Sequence, residues 1–253
     1  MASSAGVAVD VAWDAVDAVL FDLDGVITPT AEVHMHAWAE TFTPVLAEHG
    51  VAPYTEQDYF AYVDGRPRYD GVATLLEARG IDLPWGDPSD PPATETVCGL
   101  GNRKNEMFGQ VLARDGVTPY PGSVRLIDAL EDRSTPMAVV SSSANASDVL
   151  RAAGLLDRFA AVVDGAVARE HSLPGKPRPD TFQYAADVLG VPHDRAVVVE
   201  DAVSGVQAGA AGGFALVVGV DRGAGVDTLR ANGADIVVHD LGELVPTVLA
   251  VTT

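Results

Sequence analysis

The sequence predicts an α/β protein: a Rossmann-like three-layer core around a parallel sheet, with a helical domain inserted after the first strand. Three observations lead there. Short valine-rich runs recur along the second half of the chain, each preceded by a helix-like stretch, and uninterrupted apolar runs of that length are what fully buried parallel strands look like. A run of the same kind, 16–21, stands apart near the N-terminus. Between it and the others, residues 31–118 repeat their apolar positions at spacings of three and four, the helical period.

The elements follow in order. Residues 1–14 read as a loose tail, and Val16-Asp17-Ala18-Val19-Leu20-Phe21 as the first strand. The insert is expected to hold helices at 31–49, 55–62, 67–79 and 102–115, stopped at Gly50, Gly80 and Gly116. The stretch 82–96, with Pro84, Pro88, Pro91 and Pro92, reads as a surface loop. From Tyr120 onward, helices at 122–133, 145–153, 179–189, 203–211 and 226–232 alternate with strands at 137–140, 160–163, 196–199, 215–218 and 236–238. The expected organisation is a discontinuous core, 1–30 with 119–253, and an insert, 31–118.

Composition narrows the function. A chain of 253 residues buries an adequate core without disulfides or a structural metal. It carries 36 acidic against 16 basic residues, a net charge of −20, and would repel a nucleic-acid backbone or an anionic membrane. Neither is expected as a partner. The lone cysteine, Cys98, excludes an internal disulfide and a thiolate zinc cluster, and suits a reducing compartment. Residues 1–15 have no basic segment followed by an apolar run, so no export signal is read there. The uncharged stretch 202–220 contains five glycines and reads as helix, turn and strand rather than a membrane span. A cytoplasmic monomer is expected.

In a parallel sheet, ligands bind beyond the carboxyl ends of the strands. Asp22 and Asp24 follow the first strand, Ser141, Ser142 and Ser143 the 137–140 strand, and Glu200 and Asp201 the 196–199 strand; Lys176 lies in the loop before the 179–189 helix. Two like charges about 4 Å apart repel by roughly 4 kcal/mol at an effective dielectric of 20, so such a rim needs cations. A hard divalent ion, Mg²⁺, takes carboxylates, carbonyls and waters. With a lysine beside it, it makes a phosphoryl-transfer site in which one carboxylate is the nucleophile. Each piece also has a plain reading. The Asp-x-Asp pair forms a turn, the serines and Glu200-Asp201 cap helices, and Lys176 is a solvated turn. Their joint placement on strand ends decides for chemistry. Gly99-Leu100-Gly101 has no third glycine and no preceding strand, so a dinucleotide loop is set aside. His34 and His36, two apart on a helix, do not share a face as a zinc pair would.

Phe21-Asp22-Leu23-Asp24-Gly25-Val26, Ser141, Lys176 and Glu200-Asp201 resemble, in order, the four motifs of the haloacid-dehalogenase superfamily. The stretch Asp22–Trp38, with Arg103-Lys104-Asn105, Tyr120-Pro121-Gly122, Gly175-Lys176-Pro177 and Glu200-Asp201, is similar to its β-phosphoglucomutase-like branch. The resemblance implies that Asp22 is the phosphorylated nucleophile and Asp24 the general acid and base. It implies Mg²⁺ on Asp22, the Asp24 carbonyl and Asp201 with help from Glu200, and Ser141 and Lys176 on the transferring phosphate. It makes 31–118 a helical cap in which His34, Trp38, Arg68, Lys104 and Asn105 face a phosphorylated sugar, and it adds Ser142, Ser143 and Asn145 to the substrate contacts. Two departures stand out: Pro29 replaces the branch's usual aspartate, and Ala144 the lysine after its serine cluster. The implied reaction is conversion of β-glucose 1-phosphate to glucose 6-phosphate through a bisphosphate. The alternatives are a phosphohydrolase on a small phosphomonoester and, from another class, a non-catalytic binding protein.

Overall fold

The computed structural model describes residues 11–63 and 68–250. It divides into two compact units, one built from residues up to Pro29 together with Val117 onward, the other from Thr30–Gly116.

The first unit is a six-stranded, wholly parallel sheet in the order β3-β2-β1-β4-β5-β6. The strands are β1 (Ala18–Phe21), β2 (Met137–Val140), β3 (Ala161–Val163), β4 (Ala196–Glu200), β5 (Leu216–Val220) and β6 (Ile236–Val238). Every residue of β1, β2 and β4 is buried, which is why these strands carry no polar alternation. The crossovers are helices, among them Pro121–Asp132, Asp180–Leu189 and Val203–Ala211. Phe182, Ala185 and Ala186 pack on the inner strands beside Ala208. Strand order reverses beside β1: β2 and β3 lie to one side, β4 to β6 to the other.

The second unit holds the helices Thr30–Glu48, Arg68–Ala78 and Val97–Asp115. Its core joins Trp38, Phe42 and Leu46 to Val72, Leu75, Leu76 and Leu100. Trp38 stacks on Phe42 at 5.2 Å between ring centres. Gly50, Gly80 and Gly116 adopt left-handed φ of +66°, +67° and +69° at the expected stops.

Four expectations are corrected. Residues 11–14 are no loose tail: Trp13 is 1% exposed, its indole N–H donates to Thr247 Oγ1 at 2.8 Å, and Arg133 donates to its carbonyl at 3.1 Å. The helix expected at 102–115 begins at Val97, because Thr96 caps it by accepting from Gly99 N–H at 2.9 Å. Its glycines allow close packing: a Cβ on Gly101 would meet the Tyr69 ring at 2.6 Å. The expected 55–62 helix is a short α turn, Glu56–Asp58, running into a π turn, Tyr59–Val63. Two short helices, Gly165–Glu170 and Val245–Ala250, were not anticipated. Asp64-Gly65-Arg66-Pro67, the start of the expected 67–79 helix included, lies outside the described residues. Among the described residues, no helix is long and apolar enough to cross a membrane.

Candidate active site

β1 ends at Phe21, flanked by Val139 and Val199. Asp22 extends it by one backbone bond, donating its N–H to Val199 O at 2.9 Å, so its side chain stands at the carboxyl edge between β1 and β4. This is the point of strand reversal, where α/β sheets open a crevice. Asp22 is only 7% exposed, and its partner is Lys176. The Lys176 ammonium donates to Asp22 Oδ1, to Glu200 Oε1 at 2.7 Å and to Val140 O at 3.1 Å, tying β1, β4 and β2 together with its three protons. It lies 4.8 Å from the Phe182 ring centre. It is therefore not a solvated turn.

Two glycines make room for the acids. A Cβ on Gly205 would stand 1.7 Å from Glu200 Oε1, and one on Gly25 1.9 Å from Asp201 Oδ2. Gly25 also needs a φ of +82°. The second oxygen of Glu200 accepts from Ala202 N–H at 2.7 Å, so this carboxylate is gripped at both ends.

Electrostatics follow from one ammonium meeting several buried acids. Burial pushes the Asp22 carboxyl well above the usual carboxylate range; Glu200, Asp24 and Asp201 add to the rise and Lys176 opposes it. Burial, then Glu200 and Asp24, push Asp201 up to about 7. Burial works against the Lys176 charge, but Asp22 and Glu200 outweigh it and hold the amine above its ordinary value. A cluster in this state calls for a second cation. Among the described residues no three His, Cys, Asp or Glu side chains form a ready cage. The oxygen donors present, few carboxylates beside backbone carbonyls, suit Mg²⁺, which keeps several waters.

Ser141, buried after β2, places Oγ 3.5 Å from Asp24 Oδ2 and accepts from Ser143 N–H at 3.1 Å. Ser143 Oγ in turn accepts from Asn145 N–H at 3.2 Å. The serines therefore shape their own loop instead of capping the next helix, whose N-cap is Asn145. Beside them a cavity of about 270 Å³ opens between the loops after β2 and β3, lined by Ser141, Ser142, Arg169, Ser172 and Lys176.

In the helical unit the expected residues meet one another. Lys104, 4% exposed, reaches His34 Nδ1 at 2.6 Å and lies 5.1 Å from the Trp38 ring and 4.9 Å from the Phe108 ring. His34 stacks on Phe108 at 4.5 Å. Burial, then Lys104 and Arg68, hold the imidazole well below its ordinary pKa, so it is neutral and accepts at Nδ1. Arg68 Nη2 donates to Asn105 Oδ1 at 2.8 Å. Trp38 also belongs to the hydrophobic core of this unit.

The sequence profile of the haloacid dehalogenase-like hydrolases matches residues 16–213. The chain belongs to this family. Within the family it is 50% identical over 240 residues to a β-phosphoglucomutase of Mycobacterium tuberculosis, covering 90% of this chain and 91% of that one. It is 35% identical over 200 residues to a fructose-1-phosphate phosphatase of Escherichia coli, covering 78% and 92%. The crystal structure of a β-phosphoglucomutase from Clostridium difficile superposes with a TM-score of 0.70 at 24% identity, over 90% and 93% of the two chains. The chain is thus an enzyme of the phosphomutase or phosphatase type.

Two neighbours of the site escaped the sequence reading. Phe182 and the Val140 carbonyl gave no signal, since each matters only through contacts between distant segments. Gly25, part of the first motif, did carry one, because a glycine directly after an acidic pair at a strand end marks a tight turn.

Proposed function

We propose that this enzyme is a Mg²⁺-dependent phosphomutase that interconverts β-glucose 1-phosphate and glucose 6-phosphate through glucose 1,6-bisphosphate. The observation that carries the reading is Asp22, held by Lys176 at the switch point of the sheet. The half-identical mycobacterial phosphoglucomutase supports it over nine-tenths of both chains.

Mg²⁺, held by Asp22, the Asp24 carbonyl and Asp201 with Glu200 behind them, would supply positive charge against the phosphoryl oxygens. In the reaction, an Asp22 oxygen attacks phosphorus, the bond from phosphorus to the sugar oxygen breaks, and Asp24 gives that oxygen a proton. In the reverse step Asp24 takes the proton of an incoming sugar hydroxyl, whose oxygen attacks the aspartyl phosphate and frees Asp22. Lys176 and Ser141 hold the transferring group, with Ser142, Ser143 and Asn145 shaping the loop beside it. Residues 31–118 serve as a cap in which Arg68, Asn105, Lys104, His34 and Trp38 grip the sugar and its second phosphate. Arginine suits the second phosphate because its planar fork binds two oxygens at once. A cytoplasmic monomer acting on a small phosphorylated sugar, without nucleic acid or membrane, completes the reading.

The 35% identity to a sugar phosphatase favours a second reading, in which water takes the phosphoryl group from Asp22. Phosphorus NMR separates the two. β-Glucose 1-phosphate with Mg²⁺ and a trace of bisphosphate primer should give glucose 6-phosphate; rapid inorganic phosphate without it supports the phosphatase. Arg68→Ala should slow isomerisation about ten- to a hundredfold, the worth of a charge-assisted hydrogen bond, and leave hydrolysis of a small aryl phosphate nearly unchanged.

A further inference from the structure

Asp24 sits on a turn that is closed on itself. Gly25 N–H donates to Thr28 O at 2.8 Å, and Ile27 and Thr28 N–H to Leu23 O at 2.9 and 3.0 Å. None of these bonds fixes the turn to the rest of the unit. Three successive carbonyls make such bonds. Gly25 O accepts from Arg222 Nε at 2.8 Å, Val26 O from Ser123 Oγ at 2.6 Å, and Ile27 O from Tyr120 N–H at 2.9 Å.

Arg222 is the unusual member. It lies just past β5, and its Nη1 donates to His239 O at 3.0 Å, just past β6. Its guanidinium lies 3.9 Å above the ring of Tyr120, the same residue that holds Ile27 O. One side chain therefore links the ends of β5 and β6, the Tyr120 ring and the peptide next to Asp24. Its Nη2 is buried without a partner, a cost that an apolar strut at this place would avoid. Lysine cannot replace it, since a point charge on a flexible stem supplies neither the fork nor the flat face.

We infer that Arg222 is a positioning residue for Asp24: by tying the Gly25 carbonyl to a guanidinium braced on the Tyr120 ring, it sets the proton donor's place against the departing sugar oxygen. The inference rests on the proposed acid–base role of Asp24. A positioning role of this kind has a signature in the leaving group. A sugar alkoxide must be protonated as it departs. The acetate leaving acetyl phosphate needs no proton near neutral pH, where a carboxylic acid is ionised.

The test measures the rate of Asp22 phosphorylation in single turnovers with Mg²⁺, from glucose 1,6-bisphosphate and from acetyl phosphate. Asp24→Asn, Arg222→Lys and Arg222→Leu are compared with the wild type. Asp24→Asn should slow the bisphosphate reaction about 10²–10⁴-fold and spare acetyl phosphate. Both Arg222 variants should slow the bisphosphate about ten- to a hundredfold, the worth of one charge-assisted hydrogen bond, and spare acetyl phosphate too. Equal losses on both donors in the Arg222 variants, or no loss on either, overturn the inference while leaving Asp24 its role. Equal losses in Asp24→Asn overturn the acid–base role itself, and the Arg222 inference falls with it. Acetyl phosphate doubles as the control for folding, because a collapsed site loses that reaction as well.

Discussion

Lys176 sets the chemistry available at its neighbours. A buried ammonium with two carboxylates and a carbonyl around it stabilises little in net terms, since desolvation cancels most of the Coulomb gain. What it does is hold one oxygen of Asp22 in a fixed direction. Asp22→Asn keeps the shape and removes the attacking anion, so turnover should fall by at least about a thousandfold. Retention of a tenth of wild-type turnover, a barrier change of only about 1.4 kcal/mol, would dismiss Asp22 as nucleophile. His34 offers a second measurement at this scale. Burial and the charges of Lys104 and Arg68 depress its pKa, so the folded state takes up its proton only at lower pH than the unfolded chain. The fold then loses stability as pH falls below the unfolded value of about 6.5, because the unfolded state binds that proton first. By NMR the His34 ring should stay neutral from pH 8 to about 6.5. Lys104→Met should move its titration upward, and an unmoved titration would leave burial and Arg68 as the cause.

Elements were legible in the sequence to the degree that burial wrote them. β1, β2 and β4 are buried throughout, so each appears as an unbroken apolar run that no loop would carry. The acidic residues after them were legible for the same reason, because a parallel sheet collects its strand ends at one edge. Elements held by a few single hydrogen bonds, local or distant, left no such trace. Gly165–Glu170 is anchored by its Asp164 cap, which accepts from Ala166 and Val167 N–H at 2.8 and 3.0 Å. The turn Trp13–Ala15 depends on Thr247, which is 234 positions away. A tail reading fails there in a measurable way. Trp13→Ala removes a fully buried indole and should cost about 3–5 kcal/mol. In a chain of this size that lowers the thermal midpoint by on the order of ten degrees. A fall of a degree or less would return the segment to the status of a tail.

At the scale of the whole molecule, charge is the dominant fact. With 36 acidic and 16 basic residues, the chain folds against its own repulsion. The exposed ion pairs offset part of this. Arg114 meets Glu40 at 3.3 Å and Asp115 at 2.8 Å, and Arg125 meets Asp240 at 3.4 Å. Such pairs contribute about 0–1 kcal/mol each and weaken with salt. Salt therefore acts in two directions, screening the attractions within pairs and the repulsion among the unpaired acids. Paired groups sit a few ångströms apart, well inside the Debye length at moderate salt, whereas the excess acids repel over longer distances. Lengths of about 30 Å at 0.01 M shrink to about 10 Å at 0.1 M, so added salt removes the long-range repulsion first. Raising NaCl from about 10 to 200 mM, with chelator present to exclude divalent ions, should raise the thermal midpoint. A falling midpoint over that range would mean that the ion pairs, not the net charge, govern the stability of this chain.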